Sequence, residues 1–401
     1  MYLTHLFTDE EKALREMIRK FTEKEIMPVR EEMEEDRDLV DAILQKLVDL
    51  GIQKAGFPRE YGGTGPAGAM ICGLVCEELA RGDAGIGLTT GINMGQLLMP
   101  AMMAENKAVM DRFIPPFCDE KLCYGSLSMT DSTGGADSEN PLLKGKGITT
   151  RAELDGDEWV INGTKSWPTN AQLASVLLTV CTTNPDLGEE GVALIYVPGD
   201  APGVSYGQPE KKVGFRTSLN NSIFYDNVRV PKEYRLKGPG DDAKFFGAIT
   251  AGTNWHTGIL GLGIAQGAFE IALDYTKERK SGGKPVREWS LAAGILADMA
   301  IWIEMAKGAL YNYAWMMDHP EEYGPPFTKQ MISKAGILQN FAGDGAAWVT
   351  NKTIELMGSN GLSPEYHAEK YYRDAKIIQV VLAGQQVRKY RIARGYYDFT
   401  L

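Results

Sequence analysis

Apolar residues recur three and four positions apart through most of the first third of the chain. Thr8-Asp9-Glu10-Glu11 has the form of a capping box, and Leu14, Met17, Ile18 and Phe21 follow it at helical spacing. Leu39, Ile43, Leu47 and Leu50 repeat the pattern. Phe57-Pro58 and Tyr61-Gly62-Gly63-Thr64-Gly65-Pro66 interrupt it, and Met70 to Leu79 resume it. Beyond residue 122 the texture changes. Thr149–Leu154 and Trp159–Ile161 flank the turn Asp155-Gly156-Asp157, a hairpin signal, and Ser175–Thr182, Val192–Val197 and Ser222–Val230 are rich in β-branched and aromatic residues. From about residue 240 the helical period returns in four long segments: Phe245–Lys280, Glu288–Met317, Lys329–Met357 and Ala368–Tyr397, separated by loops bearing Gly and Pro. The pattern predicts an α+β chain. An N-terminal helical domain (1–122) is followed by a middle β domain of barrel or sandwich type (123–237) and a C-terminal four-helix bundle (238–401). No internal repeat or low-complexity linker is present.

Composition narrows the functional classes. The 401 residues suffice for two or three domains, at roughly 100–200 residues each, and for a sizeable core. The net charge of −11 argues against a nucleic-acid partner, which requires clustered Lys and Arg. The five cysteines (Cys72, Cys76, Cys118, Cys123, Cys181) include no CxxC pair, and none of the four histidines (His5, His256, His319, His367) is spaced with a Cys as in a zinc site. No metal is expected, and the thiols read as free in a reducing compartment. Met1-Tyr2-Leu3-Thr4 leads into charge without the apolar stretch of a signal peptide, and no apolar run reaches the ~18 residues of a membrane helix. The expectation is a cytoplasmic protein without a membrane span.

Several segments carry more specific information. Tyr124-Gly125-Ser126-Leu127-Ser128-Met129-Thr130-Asp131, with Gly134-Gly135-Ala136-Asp137, resembles the flavin-binding strand and loop of the acyl-CoA dehydrogenases. Ile161 to Ala171, read as I-N-G-T-K-S-W-P-T-N-A, is similar to that family's N-G-x-K-x-W signature. Val213-Gly214-Phe215-Arg216 with Phe224–Pro231, Glu278-Arg279-Lys280, Met357-Gly358-Ser359-Asn360-Gly361 and Arg373-Asp374-Ala375-Lys376 complete the set in family order, so that the resemblance spans nearly the whole chain. Single motifs are weak evidence, but in register they reinforce one another.

The resemblance implies FAD as cofactor and an acyl-CoA thioester as substrate. It further implies an electron-transferring flavoprotein or similar acceptor as partner, and a homotetramer. An isoalloxazine ring needs a flat apolar wall and a few donors at its heteroatoms. Trp167 would cover the ring edge, and Thr169, two residues on in a strand and on the same side, would donate to flavin N5. Main-chain groups at Leu127, Met129 and Thr130 would meet the pyrimidine end, while Gly134, Gly135 and Ala136 would let the chain approach a phosphate. Arg279 would reach the pyrophosphate of a neighbouring subunit, and Gly358 and Gln386 correspond to further cofactor contacts. On the substrate side the correspondence gives Ala136, Thr253, Asn254 and Arg394.

The sequence also departs from the family. Its members abstract a proton with a glutamate that follows the R-D-A-K segment, and the corresponding position here is Leu382. Some relatives carry the base on the first bundle helix, where this chain has Thr253, with Asn254 in place of an Arg. Both base positions are therefore vacant, although the Leu382 N–H remains available to a thioester oxygen. Gly282 stands where an aromatic is usual, and Ser290 and Glu355 where Gln is usual. Three functions fit these departures. The first is an acyl-CoA oxidoreductase of altered regiochemistry acting on a cyclic or unsaturated acyl group. The second is a base-independent lyase expelling CO2 or sulfinate, for which a dry site is favourable. The third is a non-catalytic subunit of a heteromeric dehydrogenase. His256 is one alternative base, against the simpler reading of a packed core histidine, and Asp131 and Asp137 read as structural members of the flavin loop.

Overall fold

The computed structural model describes residues 7–65 and 67–397. The N-terminal tetrapeptide, His5 and Pro66 lie outside them. Helix α1 (Asp9–Phe21) opens with the capping box read from the sequence: Glu11 N–H donates to Thr8 Oγ1, and Thr8 N–H donates to Glu11 Oε2 at 2.7 Å. Helices α2 (Arg37–Asp49), α3 (Ala69–Gly82) and α4 (Ala84–Gly91) follow. Ile18, Ile43, Leu47 and Leu79 close one core, whereas Met17 and Leu50, which share the helical period, remain at the surface.

The middle segment is one curled seven-stranded sheet. Its strands are β1 (Tyr124–Ser128), β2 (Arg151–Asp155), β3 (Glu158–Lys165), β4 (Ala174–Thr182), β5 (Val192–Pro198), β6 (Val204–Tyr206) and β7 (Ile223–Pro231), paired in the order β1-β4-β2-β3-β7-β6 with β5 also on β4. Strand β4 reads as almost continuously apolar because both its faces are covered. Val176, Leu178 and Val180 pack towards the N-terminal helices, and Leu177 and Cys181 fill the interior of the curl. Strand β7 alternates buried Ile223, Tyr225, Val228 and Val230 with exposed positions, as a half-buried strand should.

The C-terminal region consists of α6 (Asp241–Glu278), α7 (Ser290–Asp318), α8 (Lys329–Met357), α9 (Ala368–Val380) and α10 (Gly384–Arg394), with the short helix α5 (Gly135–Ser138) lying earlier, in the loop after β1. Helix α6 is the central element and packs along α8 and α3. A Cβ on Gly263 would lie 2.5 Å from Glu77 O, so only glycine lets α3 approach this closely. The sequence predicts one helix over 368–397, but the structure breaks it at 381–383. Leu382 and Ala383 adopt left-handed conformations (φ 57° and 64°), and Gly384 continues at φ 74°. The apolar period runs through the break without Pro, and the cause of the interruption is tertiary, as shown below. Among the described residues no helix is long and apolar enough to cross a membrane.

Candidate active site

Strand β1 and the end of β3 are joined by a fully buried ion pair. Lys165 Nζ lies 2.9 Å from Asp131 Oδ1 and donates to Met129 O at 2.9 Å. Asp131 also accepts from the N–H groups of Thr149 and Thr150 at 3.1 and 3.2 Å. A buried pair satisfied on all sides fixes geometry more than it adds stability. Here it holds the turn after β1 against the segment that follows β3, which brings Met129 and Thr130 against Lys165 and Ser166, next in sequence to Trp167. Ser166 N–H donates to Thr130 O at 2.9 Å.

Trp167 and Thr169 do not alternate along a strand, because β3 ends at Lys165 and Trp167 has φ 67°. The loop is held instead by Asn220, whose Nδ2 donates to Trp167 O at 2.5 Å and approaches Thr169 Oγ1 at 3.4 Å. Asn220 Oδ1 in turn accepts from Lys212 at 2.5 Å, and burial pushes the Lys212 pKa down to about 8. The indole of Trp167 is 53% exposed in a left-handed backbone conformation. An apolar wall presented to solvent on a rigid loop suits a planar ring. Thr169 Oγ1 only accepts from Asn220, so its proton is free to be donated.

The VGFR and RDAK segments meet behind this loop. Phe215 N–H donates to Asp374 Oδ1 at 2.6 Å, Arg373 pairs with Glu34 at 2.9 Å, and Lys370 bridges Asp83 and Asp374 at 2.8 Å each. These charged residues therefore join the helices to the sheet.

The break at 381–383 is organised by Arg388. This buried guanidinium donates to Val381 O at 2.6 Å, Gln379 O at 3.3 Å and Leu382 O at 3.4 Å, and its Nε donates to Asn340 at 2.7 Å. It thus satisfies the carbonyls that the end of α9 leaves open. Burial lowers its pKa to about 10, with the neighbouring Arg391 contributing. Among the described residues the N–H groups of Leu382 and Ala383 have no partner. The Leu382 side chain packs against an apolar cluster that includes Leu97, Met129 and Ile249. Gly135 lies directly opposite: a Cβ there would stand 3.1 Å from Ala383 Cα.

An open cavity of about 500 Å³ adjoins this region. Lys144, Lys244, Phe246, Thr250, Arg391 and Arg394 are among its lining residues. Arg394 is anchored by donation to Pro141 O at 3.0 Å, and Arg391 Nη1 is buried without a partner. These four basic side chains beside an aromatic wall suit a ligand that carries both phosphate and an apolar arm.

The remaining expected site residues are placed as follows. Thr253 turns its hydroxyl back to Ile249 O at 2.8 Å, while Asn254 is fully buried with neither amide atom hydrogen-bonded. Arg279, exposed at the end of α6, has no side-chain partner among the described residues. Gly358 (φ 62°) and Ala136 are exposed, and Gln386, also exposed, accepts from Lys389 at 3.2 Å. Glu355 is paired with Lys352 at 2.6 Å, which removes its repulsion towards a phosphate. His256 is buried against α4, and burial pushes its pKa down to about 4. Motif reading alone missed Lys212, Asn220, Arg388, Arg391 and Glu139. The available signal was charge within apolar periods, as at Arg388 and Arg391 on the buried face of α10.

This geometry can be set beside known proteins. Models for the acyl-CoA dehydrogenase N-terminal, middle and C-terminal domains match residues 8–121, 126–228 and 252–396. The chain belongs to the acyl-CoA dehydrogenase family. Members of that family are FAD-dependent oxidoreductases acting on CH–CH bonds. The chain is 32% identical over 393 residues to the short/branched chain specific acyl-CoA dehydrogenase, mitochondrial, of Bos taurus (97% of this chain, 86% of the relative). It is likewise 32% identical over 394 residues to cyclohexane-1-carbonyl-CoA dehydrogenase of Syntrophus aciditrophicus (strain SB) (98% and 97%). The butyryl-CoA dehydrogenase structure from Megasphaera elsdenii superposes with a TM-score of 0.86 at 28% identity, covering 97% of this chain and 98% of that one. The expected fold class, enzyme class and cofactor of this family member agree with these relatives.

Proposed function

We propose that this family member oxidises an acyl-CoA thioester by hydride transfer to FAD, and that its substrate or regiochemistry differs from the family's usual α,β-dehydrogenation. The observation that carries the reading is the turn at 381–383: a free N–H at Leu382, in a main-chain geometry locked by Arg388, with an apolar side chain where the family places its proton acceptor. FAD supplies the hydride acceptor. Trp167 covers the ring, the Thr169 hydroxyl orients it, and Arg279, unpaired and exposed, reaches the pyrophosphate of a second subunit. The cavity takes the coenzyme A arm, with Arg394, Lys144 and Lys244 near its phosphates. The Leu382 N–H polarises the thioester carbonyl, and the surrounding apolar cluster keeps water away. The likeness to cyclohexane-1-carbonyl-CoA dehydrogenase favours a cyclic acyl group.

A second reading is a lyase that expels CO2 or sulfinate and therefore needs no base. The apolar surroundings of Leu382 favour it. The non-catalytic subunit is the weakest reading, because the exposed indole and free hydroxyl of the flavin loop would have no purpose in it. The chain divides at 122/123 and 237/238, and five free thiols support a cytoplasmic location. The exposed apolar residues Leu291, Ile301 and Met305 on α7 support burial in a homotetramer, and an electron-transferring flavoprotein is the expected acceptor. The test is anaerobic flavin bleaching across straight-chain, cyclic and dicarboxylic acyl-CoAs. Bleaching by cyclic or unsaturated members supports oxidation, and release of CO2 or sulfinate supports the lyase. A protein that binds no FAD contradicts both.

A further inference from the structure

Glu139 differs from the other carboxylates around the cavity. It follows α5 and is 5% exposed, yet among the described residues it makes no ion pair even though Arg388 and Arg391 lie close by. Arg391 Nη2 donates at 2.5 Å to the Glu139 main-chain carbonyl, not to its carboxylate. Thr130 Oγ1 donates to Oε1 at 2.7 Å, and Oε2, which has no hydrogen bond among the described residues, is not a fully buried atom. A charge this enclosed with a single hydrogen bond is costly unless it has work to do. Its position supplies that work. A Cβ on Gly135 would lie 2.9 Å from Glu139 Oε1 and 3.1 Å from Ala383 Cα, so the carboxyl and the 382–384 turn both pack closely on Gly135 and are near neighbours. Glu139 also lines the cavity.

We infer that Glu139 is the proton acceptor of this enzyme, serving the thioester held at the Leu382 N–H from the opposite wall of the site. The inference rests on the oxidoreductase reading above. In the step, a C–H bond acidified by the polarised thioester breaks and its proton forms an O–H bond on Glu139. The electron pair left behind enters the new C=C bond, and bound FAD would supply the oxidant that accepts the partner carbon's hydride. Burial raises the Glu139 pKa against the opposing influence of Arg391, Thr130, Lys165 and Arg388, which brings the carboxyl closer to working pH, as a carbon base requires.

The decisive variant is Glu139→Gln, which preserves shape and the bond from Thr130. Three measurements are made on holoenzyme: acyl-CoA binding, anaerobic flavin reduction by the acyl-CoA that bleaches wild type, and deuterium uptake from D2O into that acyl-CoA when the flavin has been reduced beforehand. The last reports proton transfer without oxidation. The expected result is binding within threefold of wild type, with flavin reduction and deuterium uptake both slowed at least ~100-fold, the usual scale of a lost general base. Introducing Leu382→Glu into the same variant should restore deuterium uptake at the carbon next to the thioester. Wild-type rates in a Glu139→Gln variant that still binds substrate would overturn the assignment and leave the oxidoreductase reading intact. Failure of every acyl-CoA to bleach wild type would overturn both.

Discussion

Replacing Leu382 by Glu tests the vacant position directly. The main chain at 382 is left-handed (φ 57°), but Leu already bears that strain and any residue with a Cβ bears the same, so the substitution adds no backbone cost. The side chain is partly buried against the apolar cluster that holds Leu97, Met129 and Ile249, and losing the apolar contact costs about 0.8–1.5 kcal/mol, half of a fully buried leucine. The apolar surroundings would also raise the pKa of the new carboxyl, which suits a base acting on carbon. Arg388 would not neutralise it, because its donors are committed to the carbonyls of 379, 381 and 382 and to Asn340. A correctly placed general base contributes ~10²–10⁴-fold, equivalent to about 3–5 kcal/mol of barrier. Stopped-flow bleaching of the flavin by saturated straight-chain acyl-CoAs should therefore accelerate at least ~100-fold. If a folded, flavin-loaded Leu382→Glu protein reacts no faster than wild type at every chain length, position 382 does not face the thioester and the reasoning fails.

Other expectations follow from the same geometry. Arg388→Met strands the carbonyls of Gln379 and Val381, and should cost about 2–4 kcal/mol of stability and weaken acyl-CoA binding. An unchanged denaturation midpoint would show that the turn holds itself. Arg279→Ala should lower FAD affinity at least ~10-fold, since a charge-assisted bond to phosphate contributes about 1.5–3 kcal/mol, without moving the melting temperature of the apoprotein. Equal affinity would mean that Arg279 is merely solvated. His256 is held neutral, its pKa pushed by burial from 6.5 to about 4. The unfolded chain takes up that proton below pH 6.5 and the folded chain does not until near 4. The contribution of this group is therefore complete above pH 6.5 and lost as pH falls towards 4, amounting to about 3 kcal/mol. His256→Gln should flatten the fall in urea stability over that window, and an unchanged slope would contradict the burial.

Much of the fold could be read from local patterns. The capping box at Thr8, the hairpin around Gly156 and the apolar run of β4 each rest on interactions within a few residues or on one clear period. What escaped the sequence depends on distant partners. Near Leu382 only Gly384 hints at a helix break, since Ile377, Ile378 and Val381 continue the period. Three carbonyls there are claimed by a guanidinium six to nine residues ahead. Trp167 looks like a strand residue because aromatics favour strands, and its left-handed backbone follows from an Asn220 contact more than fifty residues away. Glu139 sits in a polar stretch that reads as exposed loop, and only the docking of α10 buries it. Motif residues such as Asp374 and Arg373 were visible as a pattern, but their task of joining helix to sheet was not.

The turn at 381–383 is built almost wholly from main chain. Arg388 grips carbonyl oxygens, the free N–H belongs to the backbone, and the side chain at 382 makes none of these hydrogen bonds. A scaffold that asks nothing of a side chain leaves its chemistry open to change. Substitution there can add, remove or relocate a proton acceptor while the grip on the thioester persists, so one architecture can be led towards different reactions through a single exchangeable position.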